Sequence, residues 1–180
     1  MTPQQILEAI AALSESERHD LLSRLRERYG TPTAPPARQL GLTLSDDWDG
    51  PADLILVFDG GSQGNPGAGY GSYAVFEGTR PGQVTRLSFP DPMTNNEAEY
   101  HTLLAALDDL LKRLGEKAEE AALEVRGDSQ LVIEQVLGRW KAKDERMRGF
   151  RDEARRRLNR FKRHRLVQQP REDSVRVLGH

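Results

Sequence analysis

Hydrophobic positions divide the 180-residue chain into two unlike stretches. Over residues 1–30 they form narrow helical stripes, Ile6, Ile10 and Leu13 in one run and Leu21, Leu22 and Leu25 in the next. Thr2 before Pro3, and Ser14 with Glu17 three residues on, have the form of helix starts, and Gly30 has that of a stop. Two helices are expected there, a small N-terminal helical appendage too narrow to enclose a core alone. Residues 31–52 are rich in proline and acid and lack periodicity, as a linker would be. From residue 53 the pattern changes to strands. "LILVF" (54–58) is continuously apolar, which suits a central strand covered on both faces, while "YGSYAVFE" and "QVTRLSF" alternate like partners in an antiparallel meander. A long helix is expected from about Asn95 to Leu114, then a strand in "ALEVRG", a helix from about Ser129 to Leu137, a helix from about Asp144 to Phe161 and a last strand near "HRLVQ". Strands first, then strands alternating with helices, predict an α/β domain over 53–180 with a mixed sheet and helices packed on it.

Charge refines this picture more than composition does. The formal net charge is only −2, yet thirteen Lys or Arg and four acids lie between Arg139 and Arg165, half of all the basic residues in the chain. Such a segment is expected to present a polyanion-binding face. Residues 1–52 carry five bases and eight acids, so a protein contact, self-association or docking on the core is expected of the appendage. There are no cysteines, which excludes disulfides and thiolate metal sites. No leader pattern and no membrane-length apolar run are evident, so the expectation is a soluble, cytoplasmic protein.

The stretch "FDGGSQGNPGAGYG" fits neither G-x-x-x-x-G-K-[ST] nor G-x-G-x-x-G, and a strand rather than a helix follows it. It therefore does not cradle a phosphate. Its glycines read as turn chemistry between two strands, and Asp59, delivered by the end of a buried strand, is either a functional carboxylate or a turn cap. In the long helix, Glu99 falls in phase with Leu103, Ala106 and Leu110, whereas Glu97 lies on the opposite side. A carboxylate on an apolar face must be paired, hydrogen-bonded or metal-bound. Asp128 closes the strand "ALEVRG" and precedes a helix, either as a third such group or as that helix's N-cap. Three carboxylates converging from two strand ends and a helix face would offer hard oxygen ligands suited to Mg²⁺ or Mn²⁺.

Taken in order, "FDGGSQGNPGAGYG", "TNNEAEY" and "GDSQLVIEQVLGRW" resemble the three successive motifs of the ribonuclease HI family, with its archaeal-type members the nearest in feel. The resemblance covers roughly residues 53–178. It implies a ribonuclease H-like fold with a five-stranded mixed sheet, and hydrolysis of the RNA strand of an RNA–DNA hybrid with two divalent ions, Mg²⁺ or Mn²⁺, leaving 5′-phosphate products. Double-stranded RNA is a second candidate duplex. By position, Asp59, Glu99 and Asp128 match the family's first three carboxylates, and Asn65, Thr94, Asn95, Asn96 and Gln130 match residues that contact the hybrid. Gly60, Trp140, Lys141 and Lys143 are assigned to the same nucleic-acid surface.

The last motif departs from the family pattern P-R-E-x-N-x-x-A-D. "PREDSVRVLGH" keeps Pro170, Arg171 and Glu172 but places Ser174 at the Asn and Leu178 at the Asp. The fourth carboxylate and the closing helix are therefore expected to be missing, with Asp173 out of register and His180 the nearest stand-in. Gln168 and Gln169 occupy the segment where the family histidine is expected, and His19, His101 and His164 have no metal-ligand spacing. An impaired enzyme, or a non-catalytic hybrid-binding protein on the same fold, is the alternative that follows.

Overall fold

The structure, a computed structural model, describes residues 50–180 save 79, 81 and 180. The appendage and nearly all of the linker lie outside the described residues, as does His180. The domain opens with an antiparallel meander of β1 (Leu54–Gly64), β2 (Gly67–Glu77) and β3 (Thr85–Met93). Helix α1 (Asn95–Leu114) and a 3₁₀ turn (Gly115–Glu120) lead to β4 (Ala122–Gly127). Then come α2 (Gln130–Leu137), α3 (Glu145–Leu158), β5 (Arg163–Gln168) and α4 (Arg171–Leu178). The strand order is β3-β2-β1-β4-β5, with β1–β4 and β4–β5 parallel and the rest antiparallel. This is the five-stranded mixed sheet expected.

The apolar periodicities explain where each element goes. Leu56 and Phe58 of β1, Leu123 and Val125 of β4, and Tyr100, Leu103, Leu107 and Leu110 of α1 are wholly buried in one core, closed by Ile133 of α2 and Leu158 of α3. Each such side chain contributes about 1.5–3 kcal/mol by leaving water, so β1 and α1 are held firmly against each other. Val57, Ala74 and Leu178 form a smaller cluster on the other face of the sheet.

Three expectations change here. A closing helix is present: α4 starts after Pro170, buries Ser174 and Leu178 one turn apart, and ends where Gly179 enters the left-handed region and donates to the Val175 carbonyl at 2.7 Å. Eight residues suffice because the Val57–Ala74 surface supplies what helix propensity alone does not. The basic helix is shorter than expected, running from its Asp144 cap to Leu158. Glu97, placed opposite the apolar stripe, is nonetheless buried, because that side of α1 is covered by the start of α3.

Candidate active site

β1 and β4 run parallel and pair as far as Val57 and Arg126. Two residues on stand Asp59, still within β1, and Asp128, just past the end of β4, both beyond the carboxyl edge of the parallel pairing, where such sheets present their sites. Asp59 lies within the β1–β2 ladder opposite Ser72, well before the turn, which removes the turn-cap alternative. Asp128 is not the cap of α2 either, since Ser129 holds that position. Glu99 reaches the same point from α1. The three carboxylates each place an oxygen within 4.8 Å of the others, and both Asp59 and Glu99 are buried.

The approach of α1 depends on Gly60. A Cβ built there would stand 2.6 Å from the Ala98 carbonyl oxygen and 2.8 Å from the Glu99 nitrogen, so only glycine lets the strand pass this close to the helix backbone. The Gly60 amide donates to the Glu99 carboxylate. Against that support, burial, and then the charges of Asp59 and Asp128, push Glu99 up to about 9. Its Oε2 is buried with no hydrogen-bond partner. A carboxylate so placed costs free energy when ionised, and a divalent cation among the three groups removes that cost. The donor set is all hard oxygen, which fits Mg²⁺ or Mn²⁺. Arg171, at the start of α4, adds an ion pair to Asp128 at 3.6 Å.

Polar residues gather beside this cluster, at the N-terminal end of α1. Thr94 caps the helix in a capping box with Glu97, whose carboxyl is held below its usual range by the Thr94 amide and then by Arg146. Asn95 Oδ1 accepts from the Ser62 amide and hydroxyl, both at 2.9 Å, and the Asn95 amide donates to Asn65 Oδ1 at 3.2 Å. With both carbonyl oxygens so engaged, the two side-chain NH₂ groups are turned outward as donors. Asn65, Thr94, Asn95 and Asn96 line a cavity of about 690 Å³ whose opposite wall is Asp144 to Met147. A second hollow of about 680 Å³ shares Asn96, Asp144 and Met147 with it and is lined by Trp140, Lys141 and Lys143. Trp140 is 44 % exposed. Gln130 is exposed as the first residue of α2, two places after Asp128.

The predicted site residues thus fall into three adjoining groups: the carboxylates with Gly60, the amide-lined cavity, and the Trp140–Lys143 hollow. The basic segment as a whole does not form one face. Arg151 pairs with Asp152, Arg156 and Arg157 with Glu153, Arg157 also with Asp108, and Arg165 with Glu124. Arg155 donates to the Val136 and Gln135 carbonyls at the end of α2. Of these, Arg155, Arg157 and Arg165 tie one element to another, while Arg151 and Arg156 pair within α3. Arg160 and Lys162, past the far end of α3, lie roughly 20 Å along its axis from the groove at 1.5 Å per residue. Two histidines have packing roles: His101 packs between Phe89, tilted, and Phe150, edge-on, and burial lowers His164. Sequence reasoning missed Ser62, which orients Asn95, and the buried relay in which Tyr100 donates to Gln135 at 2.9 Å. All three lie inside the quoted motif stretches, but nothing local marks them out from their neighbours there.

A family model described as reverse transcriptase-like matches residues 63–177. Ribonuclease H1 from the halophilic archaeon Halobacterium salinarum shares 33 % identity and a TM-score of 0.61, over 69 % of this chain and 90 % of that one. The chain belongs to the ribonuclease H1-like family. LC11-RNase H1, solved in complex with an RNA/DNA hybrid, aligns with a TM-score of 0.63 at 28 % identity, again over 69 % and 90 % of the two chains. The bifunctional protein Rv2228c of Mycobacterium tuberculosis is 46 % identical over 91 residues. That match spans half of this chain but only 24 % of the mycobacterial one. Leu178 is the residue at which the sequence departs from the expected last Asp. Leu178 is buried against Val57 and Ala74, on the sheet face that alternation also assigns to Asp59. An apolar side chain therefore occupies the neighbourhood from which a fourth carboxylate would have come. Among the described residues, no helix is long and apolar enough to cross a membrane.

Proposed function

We propose that this protein is an endoribonuclease that hydrolyses the RNA strand of RNA–DNA hybrids with two divalent cations, Mg²⁺ or Mn²⁺, leaving 5′-phosphate ends. The observation that carries this reading is the convergence of Asp59, Glu99 and Asp128, two of them buried, beside a cavity lined with amide donors. When bound, the cations supply charge neutralisation and activation of water for in-line displacement at phosphorus. Asp59, Glu99 and Asp128 hold them, and Gly60 keeps Glu99 in reach. The NH₂ groups of Asn65 and Asn95, with Asn96 and Gln130, face outward as donors for 2′-hydroxyl and base-edge acceptors in the wide minor groove. That contact distinguishes RNA from DNA without reading sequence. Trp140 offers a stacking surface, and Lys141 and Lys143 offer charge to the phosphate backbone. The absence of cysteine from the sequence is compatible with work in a reducing cytoplasm.

The test is cleavage of a uniform RNA–DNA hybrid labelled on either strand, with Mg²⁺ and then Mn²⁺, using Asp59→Asn as the blank. The RNA strand alone is expected to be cut, to 5′-phosphate fragments, with Mn²⁺ at least as effective as Mg²⁺ and nothing cut by the blank. Binding of the hybrid with no cleavage above the blank would instead favour a non-catalytic hybrid-binding protein. Leu178 is the observation in favour of that second reading.

A further inference from the structure

Glu97 is the third residue of α1, two before Glu99, and it is buried although its charge has no part in the carboxylate cluster. One of its oxygens, Oε2, accepts from the Thr94 amide at 2.7 Å and the Thr94 hydroxyl at 2.9 Å. The other accepts from Arg146. Arg146 is the second residue of α3 and directly follows the segment bearing Trp140, Lys141 and Lys143. The Glu97 side chain is 8 % exposed and that of Arg146 is 70 % exposed, so the carboxylate is the fixed member and the guanidinium folds down onto it. The two walls of the groove come from different helices, Asn95 and Asn96 on α1 and the Trp140–Lys143 segment before α3. The ion pair spans the helix starts where these walls meet.

We propose that Glu97 and Arg146 are a positioning pair that fixes the spacing between the amide-lined and the basic walls of the groove. Arg146 acts through Glu97 and does not itself hold the nucleic acid. Both Glu97 oxygens are committed, so losing Arg146 leaves a buried carboxylate short of one donor and the α3 start without its tie to α1. The walls then separate, and a rigid duplex that must touch both binds less well, while the carboxylate cluster, which Glu99 joins from another side of α1, is unmoved. This inference rests on the hybrid reading above.

The experiment is a double-mutant cycle with Arg146→Ala, Glu97→Gln and the two combined. Glutamine at the third helical position preserves the capping box, so α1 still starts correctly. Affinity for an RNA–DNA hybrid is measured in the Asp59→Asn background, and kcat and KM in the otherwise unaltered chain. Each single change is expected to raise Kd and KM about tenfold, with kcat held within about twofold, and the double change to be no worse than either single one. Arg146→Lys should recover part of the loss, and the slope of log Kd against log salt should not change, because no phosphate contact is removed. Additive losses, or a slope reduced by about one, would make Arg146 a direct phosphate ligand and overturn the proposal. Unchanged affinity in both single variants would overturn it as well. If the unaltered protein binds no hybrid at all, the hybrid reading falls and takes the pair with it, whereas binding by the unaltered protein with no loss in the variants removes the pair alone.

Discussion

Glutamine in place of Glu99 is expected to stop cleavage while raising the melting temperature of the cation-free protein, opposite effects from one substitution. The functional half follows from losing one of three convergent carboxylates, with a rate loss on the order of 10²–10³ or more, the scale of removing one preorganised charged group. The stability half follows from the raised carboxyl. Glu99 titrates near 9 in the folded protein against an ordinary 4.5, chiefly because it is buried and then because Asp59 and Asp128 are close. Its stabilising contribution is therefore fully present below about 4.5 and is lost as pH rises through about 9, at up to about 1.4 kcal/mol per pH unit. At pH 8 the cation-free protein carries most of this penalty, and Glu99→Gln removes it. The expected gain is on the order of 5–10 °C after allowance for relaxation of the site, and it should vanish near pH 4. Mg²⁺ should raise the melting temperature of the unaltered protein at pH 8 and release a proton as it binds, and do neither in Glu99→Gln. Thermal unfolding across pH with and without Mg²⁺ reads both halves. Equal melting temperatures at pH 8 would show that Glu99 is not the strained group.

Gly60→Ala is expected to be a damaging single-methyl change at the carboxylate site. The added carbon would meet backbone atoms of α1 at 2.6–2.8 Å, and backbone cannot swing aside as a side-chain tip can. Either β1 or α1 must move, at a cost of about 1–3 kcal/mol for overpacking. The movement acts on the Gly60 amide and Glu99 directly, so the carboxylates lose their spacing. A displacement of about 1 Å at a reacting centre costs on the order of 10²-fold, and cleavage should fall at least that far even where the protein remains folded. Circular dichroism and the hybrid cleavage assay together decide it. A folded variant of undiminished activity would mean that α1 is not held at this contact. Alanine at Gly78, where a Cβ meets nothing within 4 Å, is a control that keeps the cleavage rate and carries only the backbone cost of a positive φ.

Much of the fold was legible before any coordinate, and the elements show why. "LILVF" suited a strand sheathed on both sides by its short, unbroken apolar run, and the Leu103–Ala106–Leu110 stripe suited the inner face of a helix, because period and run length are local properties of the chain. The same local reasoning found Asp59, Glu99 and Asp128: a carboxylate at a buried strand end or on an apolar stripe conflicts with its surroundings, and the conflict can be read residue by residue. It failed where the deciding partner lies far along the chain. Glu97 looked solvent-facing because nothing near residue 97 reveals that Arg146 and the start of α3 will cover it. The thirteen bases looked like one surface because sequence distance hides Asp108, Glu124 and the carbonyls of α2, which claim Arg157, Arg165 and Arg155. The closing helix was missed because its eight residues are stable only on the Val57–Ala74 surface. The chain alone therefore determined the sheet strands, the helices before α4, their order and the candidacy of three carboxylates, since these rest on backbone period and the cost of burying charge. Tertiary structure decided which charges are consumed internally, which glycine sets the distance between β1 and α1, and how the walls of the groove are tied, since pairing between remote side chains depends on the fold that brings them within a few ångströms.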